Sequence, residues 1–217
     1  MSEAPTVRTQ VHRLPERGRY DRETIDGILD EALICHVAWA DPEGRARVLP
    51  TIQARVDDTL YLHGSRGARA WKAVAGGAEV CVAATIVDGL VLARSAFHHS
   101  MNYRSAILYG RAREVTDPEE LLTAARAITR HVLPGREDEA RMPTSDEFRQ
   151  TILFAIAIDE ASAKVRTGPP KDDEEDLGLP LWAGVLPLVT RAGEPEASPD
   201  LLEGIAVPGY VSDARRP

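Results

Sequence analysis

The chain has 217 residues, with 26 Lys plus Arg against 34 Asp plus Glu, a net charge of −8 and a pI near 5.3. That length suits one medium domain, or a domain with an elaborated tail, and is enough to bury a core. The acidic balance argues against a general nucleic-acid or anionic-membrane binder.

Cys35 and Cys81 have no CxxC or Cys/His spacing and read as buried thiols, not as a disulfide or zinc site. The N-terminus lacks the apolar core of a signal sequence, and no stretch is long enough to span a membrane. A soluble, cytoplasmic protein is expected.

Asp21 is placed to cap a helix in which Ile25, Ile28, Leu29 and Leu33 recur at helical spacing. ICHVAWA (34–40), ARVLPTIQARV (46–56) and DTLYLHG (58–64) are β-branched or aromatic runs separated by DPEG and DD, and they predict three antiparallel strands. ARAWKAVAGG (68–77) predicts a short helix closed by two glycines. EVCVAATIV (79–87) and LVLARSAF (90–97) flank Asp88-Gly89, a hairpin signal because Asp-Gly accepts the positive φ of a tight turn. YRSAILYGRAREV (103–115) predicts a long strand, and Asp117-Pro118 opens a helix reaching about His131. After a polar segment, ILFAIAIDEASAKVRTG (152–168) predicts a further strand.

Six or more short strands with few helices predict a mainly β, α+β fold: a closed antiparallel barrel flanked by helices. From about Thr167 the composition shifts to Pro, Gly and acid. Residues 1–168 therefore read as the folded domain and 169–217 as a C-terminal arm. The acidic run of the arm reads as solvated, and its LPLWAGVLPL patch is expected to pack on the barrel or on a partner.

Two stretches carry chemistry. In HGSRGARAWK (63–72), glycine lets backbone amides approach an anion, Ser65 offers a hydroxyl, and Arg66, Arg69 and Lys72 supply charge ahead of a helix. This spells a phosphate cradle, though neither a Walker loop nor a dinucleotide GxGxxG; a charged surface turn is the plainer alternative. The second stretch is SAFHHSMNYRS (95–105). Neighbouring residues of a strand point to opposite faces, so His98 and His99 are not expected to share a metal. No GxSxG or paired-acid signature points to hydrolysis. Positioning groups and an apolar wall suit a cofactor that brings its own reactivity.

These stretches, together with LPERGRYDRETIDGILDEALICHVAW, EVCVAATIVDGLVLARSAFHHSMNYRSAILYGRA, KVRTGPPKDDEED and WAGVLPL, resemble the pyridoxamine 5′-phosphate oxidase-like FMN-binding split barrels. Within them the resemblance is to the flavin-nucleotide-binding branch related to 5-nitroimidazole resistance reductases, over roughly residues 8 to 190. The resemblance implies a six-stranded split barrel, a homodimer and FMN in clefts at its interface. It places Val48, Pro50 and Thr51 along the flavin ring, and His63, Gly64 and Ser65 at the ribityl-phosphate end with Arg69 on the phosphate. Ala70 stands where a second basic residue often occurs, leaving Lys72 to compensate. Asn102, Tyr103, Arg104 and Ser105 become the cofactor-facing set, with Ser100 and Met101 beside them and His98 on the substrate side as the catalytic group; His99 is expected to be structural.

A bend near Ser100-Met101 follows from that assignment, with a strand starting at about Asn102. The activity implied is reduction of a small planar acceptor such as a nitro compound or quinone, with a nicotinamide as donor. A non-enzymatic flavin store or sensor, pyridoxamine phosphate oxidation, and haem binding through His98 or His63 are the other readings. No resident metal and no nucleic-acid or membrane partner is expected.

Overall fold

The computed structural model describes residues 4–214, the side chain of Arg69 excepted. In chain order the elements are β1 (Gly18–Arg19), α1 (Arg22–Glu31), β2 (Cys35–Ala40), β3 (Ala46–Thr51), β4 (Gln53–Val56), β5 (Thr59–Ser65), α2 (Arg69–Ala75), β6 (Glu79–Leu92) and β7 (Ser100–Arg111). Then follow β8 (Arg113–Glu114), α3 (Pro118–Val132), α4 (Arg136–Glu139), α5 (Ser145–Gln150), β9 (Thr151–Ala157), β10 (Glu160–Arg166), β11 (Gly184–Pro187) and α6 (Gly209–Ser212).

The helix starts follow from the capping residues. Asp21 accepts the Thr24 N–H at 2.8 Å, and Asp117 accepts that of Glu120 at 2.9 Å, each satisfying an otherwise orphaned donor. Ile25, Ile28 and Leu29 of α1 are buried, whereas Leu33 lies past the helix end and is 43% exposed. The polar segment before residue 152 holds α4 and α5; Thr144 and Glu147 cap α5 reciprocally.

The strands form two antiparallel sheets. The larger runs β1-β10-β7-β6-β2-β3, with β11 added to β6, and the smaller runs β4-β5-β9-β8. The chain crosses between them four times: at Ile52, through α2 between β5 and β6, at Ala112 and at Ile158-Asp159. The fold is thus a split barrel, not the closed one expected from strand count, and the runs 46–56 and 152–168 are each two strands in different sheets. Val37, Val82, Leu108, Leu60, Leu62, Phe154 and Ile156 from both sheets meet α1 and α2 in one core. A second, smaller core joins Tyr61, Leu153 and Ala155 to α3 through Ala124.

Asp88-Gly89 is not a hairpin turn. Neither residue has positive φ, and β6 runs through them with a register shift between Val87 and Gly89. The reason is tertiary: β7 pairs along one side of β6, while β11 pairs with Gly89–Leu92 on the other. A Cβ on Gly89 would stand 3.0 Å from the Leu186 carbonyl oxygen, so this bulge needs glycine for close approach. The reversal comes later, in a single turn of 3-10 helix at Ala96–His98, and β7 starts at Ser100. The arm's apolar patch supplies β11 and so adds a strand to the body.

Candidate functional site at the corner between the sheets

One residue, Ile52, separates β3 in the large sheet from β4 in the small one. The corner is held from within by Gln53, fully buried, whose Nε2 donates to the carbonyls of Leu29, at 3.1 Å, and Ala32 at the end of α1. Because Gln53 pairs with Leu62, the last three residues of β5, His63, Gly64 and Ser65, overshoot β4 and stand beside the corner. Gln53 is a residue that sequence reasoning missed; its one signal is a lone amide inside an apolar run.

His63 is half-buried, and its Nδ1 is buried with no hydrogen-bond partner among the described residues. Burial holds its pKa below the ordinary histidine value, so the ring is kept neutral. Gly64 serves packing: a Cβ there would fall inside the indole of Trp71, which is itself 4% exposed and tilted against Phe154 with ring centroids 5.4 Å apart. Ser65 accepts the Ala68 N–H at 3.0 Å through its carbonyl and is exposed, as is Lys72 on α2. Arg66 is engaged by Glu114, Nη2 to Oε1 2.7 Å. The side chain of Arg69 lies outside the described residues. The loop thus leaves Ser65, Arg66 and Lys72 exposed, with Arg66 already paired.

On β3 the alternation divides the three predicted residues. Thr51 pairs with buried Cys35, whereas Val48, 65% exposed, and Pro50 pair with Ala38 and His36 on the opposite face. Burial pushes the Cys35 thiol up to about 12, so this cysteine stays protonated.

The 95–105 stretch does not converge on one point. His98 Nε2 lies 3.0 Å from Asp173 Oδ2, which raises its pKa, and His99 Nδ1 contacts the Ser95 carbonyl at 2.9 Å. Ser100 and Met101 are exposed. Asn102, 8% exposed, accepts from Arg166 through Oδ1. Arg104 donates to Asp88, Nη2 to Oδ1 2.7 Å, and to Glu31, Nη2 to Oε1 2.7 Å, and these two carboxylates raise its already high pKa. Tyr103 is half-exposed, and Ser105 donates to the Lys164 carbonyl at 3.4 Å. Alternation along the strand is the cause, as Asn102 and Arg104 lie on one side of β7 and Tyr103 and Ser105 on the other.

A cavity of about 960 Å³ lies elsewhere, lined by Thr6, Val7, Val11, Gly18 and Tyr20 at the β1 edge, the far end of the large sheet from β3. Among the described residues no helix is long and apolar enough to cross a membrane.

In overall structure the chain is similar to the flavocytochrome Anf3 of Azotobacter vinelandii: 38% identity, 99% of each chain covered and a TM-score of 0.90. It is also similar to the FAD and haem binding protein of Mycobacterium smegmatis, at 37% identity over 91% of this chain and 96% of that one, TM-score 0.86. A candidate 5-nitroimidazole antibiotic resistance protein of Bacteroides thetaiotaomicron is 26% identical over 68% of this chain and 86% of that one, with a TM-score of 0.57. No curated protein matches the chain. The sequence pattern described as pyridoxamine 5′-phosphate oxidase matches residues 21–165, from the N-cap of α1 through the corner to β10. With two sheets crossing at the corner and a pattern that spans them, the chain belongs to the pyridoxamine 5′-phosphate oxidase family.

Proposed function

We propose that this chain binds a flavin and a haem and passes electrons between them as a flavocytochrome-type oxidoreductase. The observation that carries the reading is His63. It is the histidine whose buried ring nitrogen has no partner among the described residues, whereas His98, His99 and His131 are tied to Asp173, Ser95 and Ala32. A histidine that binds haem iron does so as a neutral imidazole with a free lone pair, and burial favours that form of His63. Support comes from the two relatives at 38% and 37% identity, one named a flavocytochrome and the other a FAD and haem binding protein.

In this reading His63 would hold the iron, and Gly64 beside it lets the Trp71 indole pack close against the strand. Ser65, Arg69 and Lys72 would receive the phosphate end of the flavin, and Pro50 and Tyr103, which the register puts on one face of the large sheet, would stand by its ring. When bound, the flavin supplies exchange between two-electron and one-electron carriers, and the haem supplies the one-electron partner. FAD is proposed ahead of the FMN that the family resemblance implies, on the name of the Mycobacterium relative. A homodimer is proposed on the exposed edge of β3, where Val48 is 65% exposed, and on Trp182, 69% exposed beside β11.

Purified protein supplied with hemin and flavin tests the reading. Expected are flavin bands and a Soret band together, a dimer by light scattering, and loss of the Soret band with flavin retained in His63→Ala. Protein that takes up neither cofactor from excess would end the proposal.

A second reading rests on the 26% identity to the candidate nitroimidazole-resistance protein: reduction of a small nitro compound or quinone by a nicotinamide through the flavin alone. Flavin without haem, with turnover of a nitroaromatic, would favour it.

A further inference from the structure

We infer that Arg166 and Arg17 form a receptor for an oxyanion, a phosphate or carboxylate group carried by a bound cofactor. Arg166 ends β10 and is 7% exposed. Its guanidinium meets only neutral acceptors: Asn102 Oδ1, the Gly168 carbonyl at 3.1 Å and the Pro169 carbonyl at 3.2 Å. Its Nε is buried with no partner. Burying a cation without a counter-charge is costly, and native chains rarely leave one so. Here the cost is increased by a second cation. Arg17, half-buried at the end of the 3-10 turn Pro15–Arg17, precedes the Gly18↔Lys164 pair of β1 with β10 and so comes opposite Val165, one residue from Arg166, where the like charges repel; among the described residues its side chain makes no hydrogen bond or ion pair.

Elsewhere the chain pairs its arginines readily, as Arg8, Arg22, Arg55, Arg94, Arg104 and Arg113 each meet a carboxylate. Among the described residues Arg166 is the one arginine less than a tenth exposed, and neutral groups alone hold it in a chain of net charge −8, which asks for an anion from outside. The surroundings fit one. Lys164 flanks Arg166 on β10, with Nζ held 3.0 Å from the Arg13 carbonyl, and Tyr103 stands opposite Arg166 across the β7–β10 ladder. Arg17, being only half-buried, leaves the anion a way in. A planar guanidinium can take two oxygens of a phosphate or carboxylate at once.

The assignment deepens the flavin and haem reading: a haem propionate presents the required group, and so does a flavin pyrophosphate, which would then lie at Arg166 in place of the loop of Ser65 and Lys72. Titrating apoprotein separately with FAD and with hemin distinguishes the two sources. Arg17→Gln is the main variant; Arg166→Gln is the second, with its Tm checking that it folds. Arg17→Gln is expected to weaken one of the two cofactors by about tenfold or more and leave the other unchanged. It should also raise the Tm of the apoprotein, since the repulsion of Arg166 is relieved. A merely structural Arg17 would lower that Tm and change neither affinity, and this result would overturn the proposal.

Inorganic pyrophosphate gives an arm that needs no cofactor. It should raise the Tm of the unsubstituted apoprotein but not of Arg17→Gln. If neither FAD nor hemin binds, yet pyrophosphate stabilises in an Arg17-dependent way, the cofactor reading fails and the anion site stands. If both cofactors bind equally well to the variant and pyrophosphate has no effect, the site fails and the cofactor reading stands.

Discussion

Asp172 grips Arg94 at two points: Oδ1 accepts the backbone N–H at 2.8 Å and Oδ2 accepts Nη1 at 2.8 Å, with the Asp172 side chain only 2% exposed. The acidic run after β10 is therefore not simply solvated. Its first residue clamps the arm to the end of β6, its second meets His98, and β11 then pairs with Gly89–Leu92. Asp172→Ala should leave the Arg94 guanidinium without its counter-charge and loosen the arm. Limited proteolysis should then cut between residues 177 and 200 faster than in the unsubstituted protein, and Tm should fall. Unchanged cleavage would mean that β11 alone holds the arm.

The Trp71 indole lies where a Gly64 side chain would be. Gly64→Ala should therefore cost about 1–3 kcal/mol through overpacking, and Trp71 emission should shift to the red as the ring is displaced. If Gly64 served only to admit an anion, the substitution would leave Tm and emission alone and change cofactor binding only.

Gln53→Ala removes a donor to the Leu29 and Ala32 carbonyls inside the corner, and His131 still meets that of Ala32. The expected loss is roughly 1–3 kcal/mol, or about 2–10 °C in Tm. Thermal melts of the apoprotein check this without any cofactor.

Arg104→Ala should act on stability before cofactor content. Its guanidinium links Glu31 of α1 to Asp88 of β6, so its loss should cost about 1.5–3 kcal/mol, toward the lower end because the group is partly open to water. A variant with unchanged Tm but no flavin would return Arg104 to the cofactor-facing set.

Two histidines should pull the pH profile in opposite directions. Asp173 raises the His98 pKa, so the contribution of that pair is full below the unfolded-state value of about 6.5 and is lost as pH rises through the higher folded value. Burial lowers the His63 pKa, so acidification from about 6.5 downward charges the unfolded chain first and costs stability. In melts of the apoprotein from about pH 5 to 8, His98→Ala should flatten the alkaline side and His63→Ala the acidic side. Exchange of those two effects would reverse the assignment.

The local elements were legible because short-range chemistry decides them. Asp21 and Asp117 announce α1 and α3 by capping, and the period-two runs announce β2, β5 and β7. The family resemblance also pointed to a split barrel. What the chain could not announce is where a strand leaves one sheet for the other. Alternation specifies which face a residue takes but carries no mark at Ile52, Ala112 or Ile158-Asp159, where pairing partners change. Asp88-Gly89 makes the same point: its local preference is a turn, yet hydrogen bonds from β7 on one side and β11 on the other draw it into a continuous strand. The polar groups of the 95–105 stretch looked alike in sequence, and only tertiary packing supplied Asp173 for His98, Glu31 and Asp88 for Arg104, and Arg166 for Asn102. A buried nitrogen without a partner among the described residues, as at His63 Nδ1 and Arg166 Nε, is legible in no single stretch, because it depends on what the rest of the fold brings near and what it leaves out.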